Sequence, residues 1–279
     1  MKLAVLSGKG GTGKTFVSVN LAAVAGTATY IDCDVEEPNG RLFLKPENQI
    51  SQAVTTKLPT FDSEKCTGCR RCVDFCRFNA LVYVKRKPIV FPEVCHACGG
   101  CALVCPSGAI SETEKPVGVV ARGERGDIRV VTGCMNLGEA SGIPIIKAAL
   151  AQAGGPGALT VIDCPPGSAC SVMESVQSAD YCLLVAEPTA FGLHNFEMVC
   201  ELTSLLHKPS GVVINKADGD FTALDDYCRE HGVPVLCRIP YSERLAQLGA
   251  NGQIAAFTDR EYAELFQHLL SDIRREACV

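Results

Sequence analysis

Short apolar runs alternate with helical patterns over most of this chain. Six runs of five or six mostly apolar residues predict buried strands, at residues 2–6, 28–32, 159–163, 181–186, 211–215 and 234–239. Helices are predicted at about residues 13–25, 193–206, 222–231, 242–248 and 259–275. Strands that alternate with helices of this length indicate an α/β fold, in which helices cover both faces of a mainly parallel sheet.

One segment, residues 57–115, breaks this alternation. It is rich in cysteine, is flanked by Pro59 and Pro116, and contains two copies of one pattern, at residues 66–80 and 95–109. An internal repeat inside an interrupted α/β pattern indicates an inserted domain. We therefore predict that residues 1–56 and 116–279 form one α/β domain and that residues 57–115 form a second, α+β domain within it.

Composition narrows the class of protein. The chain has 279 residues, 47% of them hydrophobic and 20% charged, and a net charge of -5, which are values of an ordinary globular protein. A mildly acidic chain is not attracted to the anionic surfaces of nucleic acids or membranes. No apolar run reaches the roughly 18–20 residues that a membrane-spanning helix needs, and the start of the chain does not have the pattern of a signal peptide. We expect a cytoplasmic protein that binds neither nucleic acid nor a membrane.

A glycine-rich loop separates the first predicted strand from the first predicted helix. It has the pattern G-x-x-x-x-G-K-[ST] of a phosphate-binding loop, formed by Gly8, Lys9, Gly10, Gly11, Thr12, Gly13, Lys14 and Thr15. Glycines let backbone N–H groups surround the phosphates, and the helix N-terminus adds its dipole. In this pattern the lysine contacts the outer phosphates and the threonine hydroxyl binds Mg²⁺. The loop also fits the dinucleotide pattern G-x-G-x-x-G with Asp32 about 20 residues on, but that pattern has no use for the Lys-Thr pair.

Seventeen cysteines are several times the usual number, and in a reducing compartment metal ligation is a better explanation than disulfides. Eight of them form two copies of C-x₂-C-x₂-C-x₃-C, the spacing of bacterial ferredoxins with two [4Fe–4S] clusters. In that arrangement the fourth cysteine of each run ligates the other cluster. The implied ligand sets are Cys66, Cys69, Cys72 and Cys105 for one cluster, and Cys76, Cys95, Cys98 and Cys101 for the other. Zinc is the alternative, because C-x-x-C pairs also bind it.

Further motifs make the chain resemble the deviant Walker A ATPases of the MinD/ParA type. They are Asp32-Cys-Asp34, Asp163-Cys-Pro-Pro-Gly167 and Asn215-Lys216, in this order after the glycine-rich loop. The resemblance implies a P-loop fold that binds and hydrolyses MgATP as a nucleotide-sandwiched dimer.

The same resemblance implies a role for each residue of these motifs. Lys9 would reach the partner's phosphates, and Asp34 would orient the attacking water. Asp163 and Asp32 would lie near Mg²⁺, and Asn215 would contact adenine. The sequence Asn215-Lys216-Ala217-Asp218 also satisfies the guanine-reading pattern N-K-x-D, so GTP stays open as an alternative nucleotide.

A P-loop ATPase of this type with an inserted two-cluster ferredoxin is itself a family that the chain resembles. The resemblance leaves two functions open: ATP-gated electron transfer to a partner protein, or ATP-dependent assembly of iron–sulfur clusters or metallocofactors. It implies a homodimer, or a heterodimer with a related ATPase. A spatial regulator anchored to a membrane is disfavoured, because the C-terminal tail is short and of mixed charge.

The nine other cysteines carry weaker expectations. Cys182, Cys200 and Cys237 are predicted to be small buried side chains. Cys170, seven residues after Asp163, and Cys134, placed before a helix that starts near Gly138, are the two with a possible metal role. For both, a structural thiol is the better prediction. We expect His194 to pack or to form a hydrogen bond rather than to bind a metal.

Overall fold

The computed structural model describes residues 1–154, 158–219 and 221–277. Nine strands form one sheet in the order β11-β10-β9-β1-β8-β2-β7-β6-β3, and β4 and β5 form a separate hairpin. The strands are β1 (Lys2–Leu6), β2 (Ala28–Asp32), β3 (Glu47–Phe61), β4 (Leu81–Val84), β5 (Lys87–Val90), β6 (Ile110–Arg125), β7 (Ile128–Met135), β8 (Leu159–Asp163), β9 (Tyr181–Ala186), β10 (Ser210–Asn215) and β11 (Val235–Ile239). The seven strands from β11 to β7 are parallel. At one edge β6 pairs antiparallel with β7, and β3 pairs antiparallel with β6.

The central strands are mostly apolar because both faces of the sheet are covered. One hydrophobic cluster lies on each side of it, and β1, β2, β8 and β9 contribute to both. The helices are α1 (Lys14–Val24), α2 (Gly40–Leu44), α3 (Arg71–Phe75), α4 (Gly100–Leu103), α5 (Ile143–Leu150), α6 (Cys170–Val176), α7 (Ala190–Leu205), α8 (Ala223–Glu230), α9 (Glu243–Ala250), α10 (Ala255–Thr258) and α11 (Arg260–Glu276). The sequence-based prediction of an α/β fold with a mainly parallel sheet is confirmed.

The carboxyl ends of the parallel strands position the functional residues. The glycine-rich loop follows β1, Asp32 ends β2, Asp163 ends β8 and Asn215 ends β10. Because these strands are parallel neighbours, the residues meet along one edge of the sheet, where ligands bind in open α/β folds.

Strand β7 was not predicted, and its position corrects the expectation for Cys134. That cysteine lies inside β7, and the next helix, α5, begins at Ile143 rather than near Gly138. The two-residue turn Gly126-Asp127 joins β6 directly to β7, so this part of the chain has no intervening helix to complete the alternating pattern.

The cysteine-rich segment is carried by a long antiparallel ribbon. Strands β3 and β6 pair from Glu47 opposite Glu124 to Phe61 opposite Ile110. Both strands run without interruption through the predicted domain boundaries at residues 57 and 115. Beyond Phe61 the chain forms the short helices α3 and α4 and the hairpin β4–β5 before it returns along β6.

Candidate functional site

The glycine-rich loop fits so closely against neighbouring chain segments that two of its glycines cannot carry a side chain. A Cβ on Gly8 would lie 1.9 Å from the Asn195 carbonyl oxygen. Gly13 has a φ of 92°, and its Cβ would lie 2.2 Å from Asn215 Nδ2. That same nitrogen donates a 2.7 Å hydrogen bond to the Thr12 carbonyl oxygen. Asn215 therefore stabilises the backbone of the loop through this hydrogen bond, a role that the sequence did not predict.

Lys14 is the buried positive centre of the site. Its Nζ lies 2.8 Å from Asp163 Oδ1 and 3.9 Å from Asp34 Oδ2, and the residue is 6% exposed. Burial disfavours the charged ammonium, but the Asp163 carboxylate outweighs that effect and raises the pKa of Lys14. The lysine therefore stays charged at the place where the loop would hold phosphates.

The predicted carboxylates converge around this ammonium. Asp32 accepts hydrogen bonds from the backbone N–H groups of Asp34 (3.2 Å) and Gly40 (2.9 Å). Burial, reinforced by the charge of Asp163, raises the pKa of Asp32 well above its usual range. Burial also raises the pKa of Asp34, to about 6. The three carboxyl groups beside Lys14 supply oxygen donors of the kind that suits Mg²⁺, and a bound cation would favour their ionised forms.

Tyr30 is a functional candidate that sequence analysis missed. Its fully buried hydroxyl donates a 2.8 Å hydrogen bond to Asp163 Oδ2, while Lys14 holds the other oxygen of the same carboxylate. Asp163 is thus fixed from two sides. Tyr30 lies on β2, two residues before Asp32, and β2 pairs with β8, which ends at Asp163. The sequence does not give this strand order, so the contact could not be predicted from it.

Lys9 is held within its own chain. Its Nζ lies 2.6 Å from Glu187 Oε2 and 5.1 Å from the ring centroid of Phe191. Lys216 contacts the other oxygen of the same carboxylate and donates a 2.9 Å hydrogen bond to the Gly11 carbonyl oxygen. Partial burial works against ionisation of Glu187, but the hydrogen bonds from the two lysines outweigh it and lower the pKa of Glu187.

A mainly apolar cavity adjoins the glycine-rich loop. Asn215, the last residue of β10, and Lys216, which follows it, line part of this cavity. Sequence analysis missed the other lining residues, among them Phe16, Pro240, Tyr241 and Leu245. Its position at the end of the sheet, beside Gly13, is where a nucleotide base would lie if the loop bound the phosphates. The Pro-Tyr pair that directly follows β11 was the sequence signal available for it.

Two cavities in the cysteine-rich segment are each lined by four cysteines, and the two sets match the predicted ligand sets. The outer cavity is lined by Cys66, Cys69, Cys72 and Cys105, together with Phe61 and Ile110 from the far end of the ribbon. The inner cavity is lined by Cys76, Cys95, Cys98 and Cys101, together with Lys57, Pro59 and Glu112, which are nearer to the large sheet. The chain fold therefore interleaves the two cysteine runs.

The remaining cysteines lie outside these two cavities. Cys182 and Cys200 are buried, as predicted, whereas Cys237 is half-buried; Cys134 is half-buried in β7, and Cys170 is exposed at the first residue of α6. Cys278 lies outside the described residues. His194 is exposed and sits 3.8 Å from Glu197. Within the described ranges, no three His, Cys, Asp or Glu side chains converge on one point as ligands of a single metal ion would.

Comparison with known proteins agrees with this geometry. The family model of the CobQ/CobB/MinD/ParA nucleotide binding domain matches residues 3–255. The chain belongs to this family. The matched residues include the glycine-rich loop, the carboxylates and the residues that line the cavity beside Gly13.

Individual relatives extend the comparison. Two uncharacterised proteins of Methanocaldococcus jannaschii are 26% and 30% identical, covering 91% and 77% of this chain and 90% and 78% of their own lengths. An uncharacterised ferredoxin of the same organism is 42% identical over 53 residues, which are 18% of this chain and 69% of the ferredoxin.

Solved structures show the same fold at low identity. The cell division ATPase MinD of Pyrococcus furiosus has a TM-score of 0.62 at 19% identity, and the match covers 98% of each chain. The septum site-determining protein MinD of Pyrococcus horikoshii, complexed with Mg-ADP, has a TM-score of 0.60 at 17% identity and covers 98% and 95%. The family domain therefore has a MinD-like P-loop fold. A helix both long and apolar enough to span a membrane is not found among the residues described.

Proposed function

We propose that the protein is an iron–sulfur ATPase that hydrolyses MgATP as a dimer and couples hydrolysis to electron transfer to a partner protein. One observation carries this proposal: a single chain combines a P-loop site with two cavities, each lined by four interleaved cysteines. The family membership supports nucleotide binding, and the complex of Pyrococcus horikoshii MinD with Mg-ADP supports an adenine nucleotide with magnesium.

At the nucleotide site, residues of this chain position the phosphates and neutralise their charge, which is most of what phosphoryl transfer requires. The backbone from Gly8 to Gly13 would surround the phosphates, and Lys14 would approach the outer ones. Thr15 and Asp163 would hold Mg²⁺, with Asp32 nearby. Asp34 would orient the attacking water, since its carboxylate lies next to Lys14.

The residues that line the cavity beside Gly13 support ATP rather than GTP as the nucleotide. In a guanine site the aspartate of N-K-x-D must face the base, but Asp218 is exposed and is not among the residues that line the cavity. Asn215 and the apolar walls supply contacts that suit adenine. A competition measurement in which GTP displaced ATP at equal concentration would argue against this assignment.

Lys9 supplies the argument for a dimer. A lysine that is needed only for phosphates of its own chain has no reason to have its ammonium bound by Glu187, a residue outside the loop. In the proposed dimer Lys9 leaves Glu187 and contacts the partner's nucleotide, and two copies close over two nucleotides. A related ATPase chain would serve equally well as the partner subunit.

The cysteine sets fit [4Fe–4S] clusters better than zinc. A zinc ion needs four ligands within about 2.3 Å of one point, whereas the sulfur atoms here surround a cavity. Cys105 also accepts a 3.3 Å hydrogen bond from the Ala109 N–H, a contact typical of cluster-bound thiolates. A [4Fe–4S] cluster supplies one-electron transfer. The ribbon would hold the inner cluster towards the ATPase domain and the outer cluster at its far end.

The outer cavity lies where a redox partner could approach it. A groove on that face is lined by Cys105 and by Phe75 and Leu103, which are 47% and 87% exposed, with Arg71 beside them. Exposed apolar side chains next to a charged group are characteristic of protein contact surfaces.

The alternative function, assembly or delivery of clusters or metallocofactors, has one observation in its favour. Cys170 is exposed at the start of α6, a few residues after Asp163. A symmetric dimer could bring two such thiols together to hold a transferable cluster.

An anaerobic EPR redox titration with and without MgATP tests the proposal. We expect two [4Fe–4S] clusters per chain, and a potential or line shape that changes with MgATP in the wild type but not in Lys14→Ala. Unchanged spectra, with iron lost to a chelator during hydrolysis and retained in Cys170→Ala, would favour the assembly function instead.

A further inference from the structure

One lysine joins three segments where the ribbon leaves the ATPase domain. Lys115, on β6, places its Nζ 2.8 Å from Glu139 Oε2 and 3.2 Å from the Pro92 carbonyl oxygen. Pro92 lies three residues before Cys95, the first cysteine of the inner cavity. Glu139 belongs to the loop after β7 and has a side chain only 12% exposed. The pair is thus partly shielded from water, where charges interact more strongly.

The loop that carries Glu139 is fixed to β6 by backbone contacts as well. The Asn136 N–H donates a 2.9 Å hydrogen bond to the Val117 carbonyl oxygen, and its side-chain amide donates to the Pro116 carbonyl oxygen at 3.3 Å. Displacement of this loop therefore moves the root of the ribbon with it.

The end of β7, directly before this loop, lies beside the nucleotide site. The N–H of Met135 donates a 2.8 Å hydrogen bond to the carbonyl oxygen of Val35, the residue after Asp34. Val35 is 3% exposed and packs so closely that a Cβ on Gly133 or Gly142 would lie 2.7 or 2.5 Å from its methyl groups. A shift of the backbone at Asp34 cannot be absorbed here without moving the end of β7, since close-packed interiors transmit displacement.

We propose that Lys115 is the positioning residue through which a nucleotide-dependent movement at Asp34 reaches the inner cysteine cavity. This inference rests on the proposed function. The path runs from Asp34 through Val35, Met135 and Glu139 to Lys115, and from Lys115 to the segment that precedes Cys95. It is continuous in hydrogen bonds and chain connectivity, and it predicts that the inner cavity responds to ATP while the outer cavity does not.

A second lysine provides a matched control. Lys57 lines the same inner cavity, but its only ion pair among the described residues is with Glu114, 3.7 Å away, and both side chains are more than half exposed. Removal of its charge alters the electrostatics of the cavity without touching the loop after β7. Lys57→Gln therefore separates loss of a nearby charge from loss of the Lys115–Glu139 contact.

The test uses the iron-loaded full chain and two readouts. Hydrogen–deuterium exchange of residues 92–98 and EPR of the clusters are measured with and without a non-hydrolysable ATP analogue. We expect the ATP-dependent change at residues 92–98 to be present in the wild type and in Lys57→Gln, and to be lost in Lys115→Gln and in Glu139→Gln. Nucleotide affinity should stay unchanged in all of them. The charge exchange Lys115→Glu with Glu139→Lys should restore part of the response.

The outcomes distinguish this inference from the proposed function. An ATP response that persists in full in both Lys115→Gln and Glu139→Gln would overturn the inference and leave the function standing. A wild type with no ATP response in the insert would overturn both. Glu139→Gln lies outside the insert, so it keeps the test decisive should Lys115→Gln lose iron.

Discussion

The nucleotide site and the cysteine-rich segment differ in how much of their side-chain surface is buried. At the nucleotide site Lys14, Asp32 and Asp163 are buried, and each already has partners within the chain. The structure describes all residues between 62 and 109. The apolar side chains there with less than a tenth of their surface exposed are mostly small: Cys72, Ala80, Leu81, Pro88 and Ala109. Phe75, Phe78 and Phe91 there are each more than 40% exposed.

The difference shows where the stability of each region originates. The P-loop is supported by two hydrophobic clusters, one on each face of the nine-stranded sheet, so we expect its geometry to depend little on a ligand. The insert has too little apolar surface to form a core of its own, and domains of this size then depend on metals or disulfides. Its interior consists of the cavities themselves, so we infer that the clusters complete its fold.

Removal of iron should separate the two regions most strongly. We expect that chelation under anaerobic, reducing conditions abolishes amide exchange protection between residues 62 and 109, because metal binding free energy is folding free energy in such domains. Strands β1, β8 and β9 should keep their protection, and nucleotide affinity should change little. Hydrogen–deuterium exchange of the two forms measures this. An insert that stays protected without iron would contradict the comparison.

The interleaved cysteines allow a sharper test within the insert. Cys76→Ala should halve the iron content, from about eight to about four per chain, and expose Cys95, Cys98 and Cys101 to alkylation while the outer set stays protected. Cys105→Ala should do the reverse, exposing Cys66, Cys69 and Cys72. Mass spectrometry of alkylated peptides distinguishes these patterns. Protection of the Cys95 run in Cys76→Ala would mean that each run ligates its own cluster.

The two regions also differ in how much of them could be predicted. Glycines at fixed short spacings determine local backbone geometry, so the P-loop could be predicted from the sequence. The two interleaved cysteine sets were predicted only from the likeness of their spacing to ferredoxins with two clusters. Six of the seven parallel strands were predicted because a strand covered on both faces is a continuous apolar run; β7 was missed. The first half of β3 is exposed throughout, from Glu47 to Ala53. An exposed edge strand has no such pattern, and it was missed.

Contacts between distant segments could not be predicted. Tyr30 meets Asp163 because β2 and β8 are neighbours, and Lys115 meets Glu139 because β6 and β7 form a hairpin at the edge of the sheet. Lys9 and Glu187 lie at the ends of β1 and β9, which are adjacent only in the folded sheet. In each case the residue type was visible in the sequence but its partner depended on the strand order.

The smallest effect we expect concerns that last pair, and it tests whether the preformed nucleotide site resists dimer formation. In the proposed dimer Lys9 leaves Glu187 to reach the partner's nucleotide, so Glu187→Gln should tighten the ATP-dependent dimer. Because Lys9 is partly exposed, the gain should be about fivefold or less, as for other solvent-accessible ion pairs. Sedimentation equilibrium with a non-hydrolysable ATP analogue measures it.

The pH dependence of this effect follows from the charge of Glu187. Hydrogen bonds from Lys216 and Lys9 lower the pKa of Glu187. The carboxylate therefore stays ionised through the ordinary titration range of a glutamate and is neutralised only at lower pH. The difference between wild type and Glu187→Gln should therefore be constant from pH 6 to 8. Glu197→Gln, which removes an exposed carboxylate on α7, is the control and should leave the dimer unchanged. A weaker dimer in Glu187→Gln would show instead that the Glu187 carboxylate stabilises the dimer. The contact between Lys9 and Glu187 would then favour association of two chains rather than oppose it.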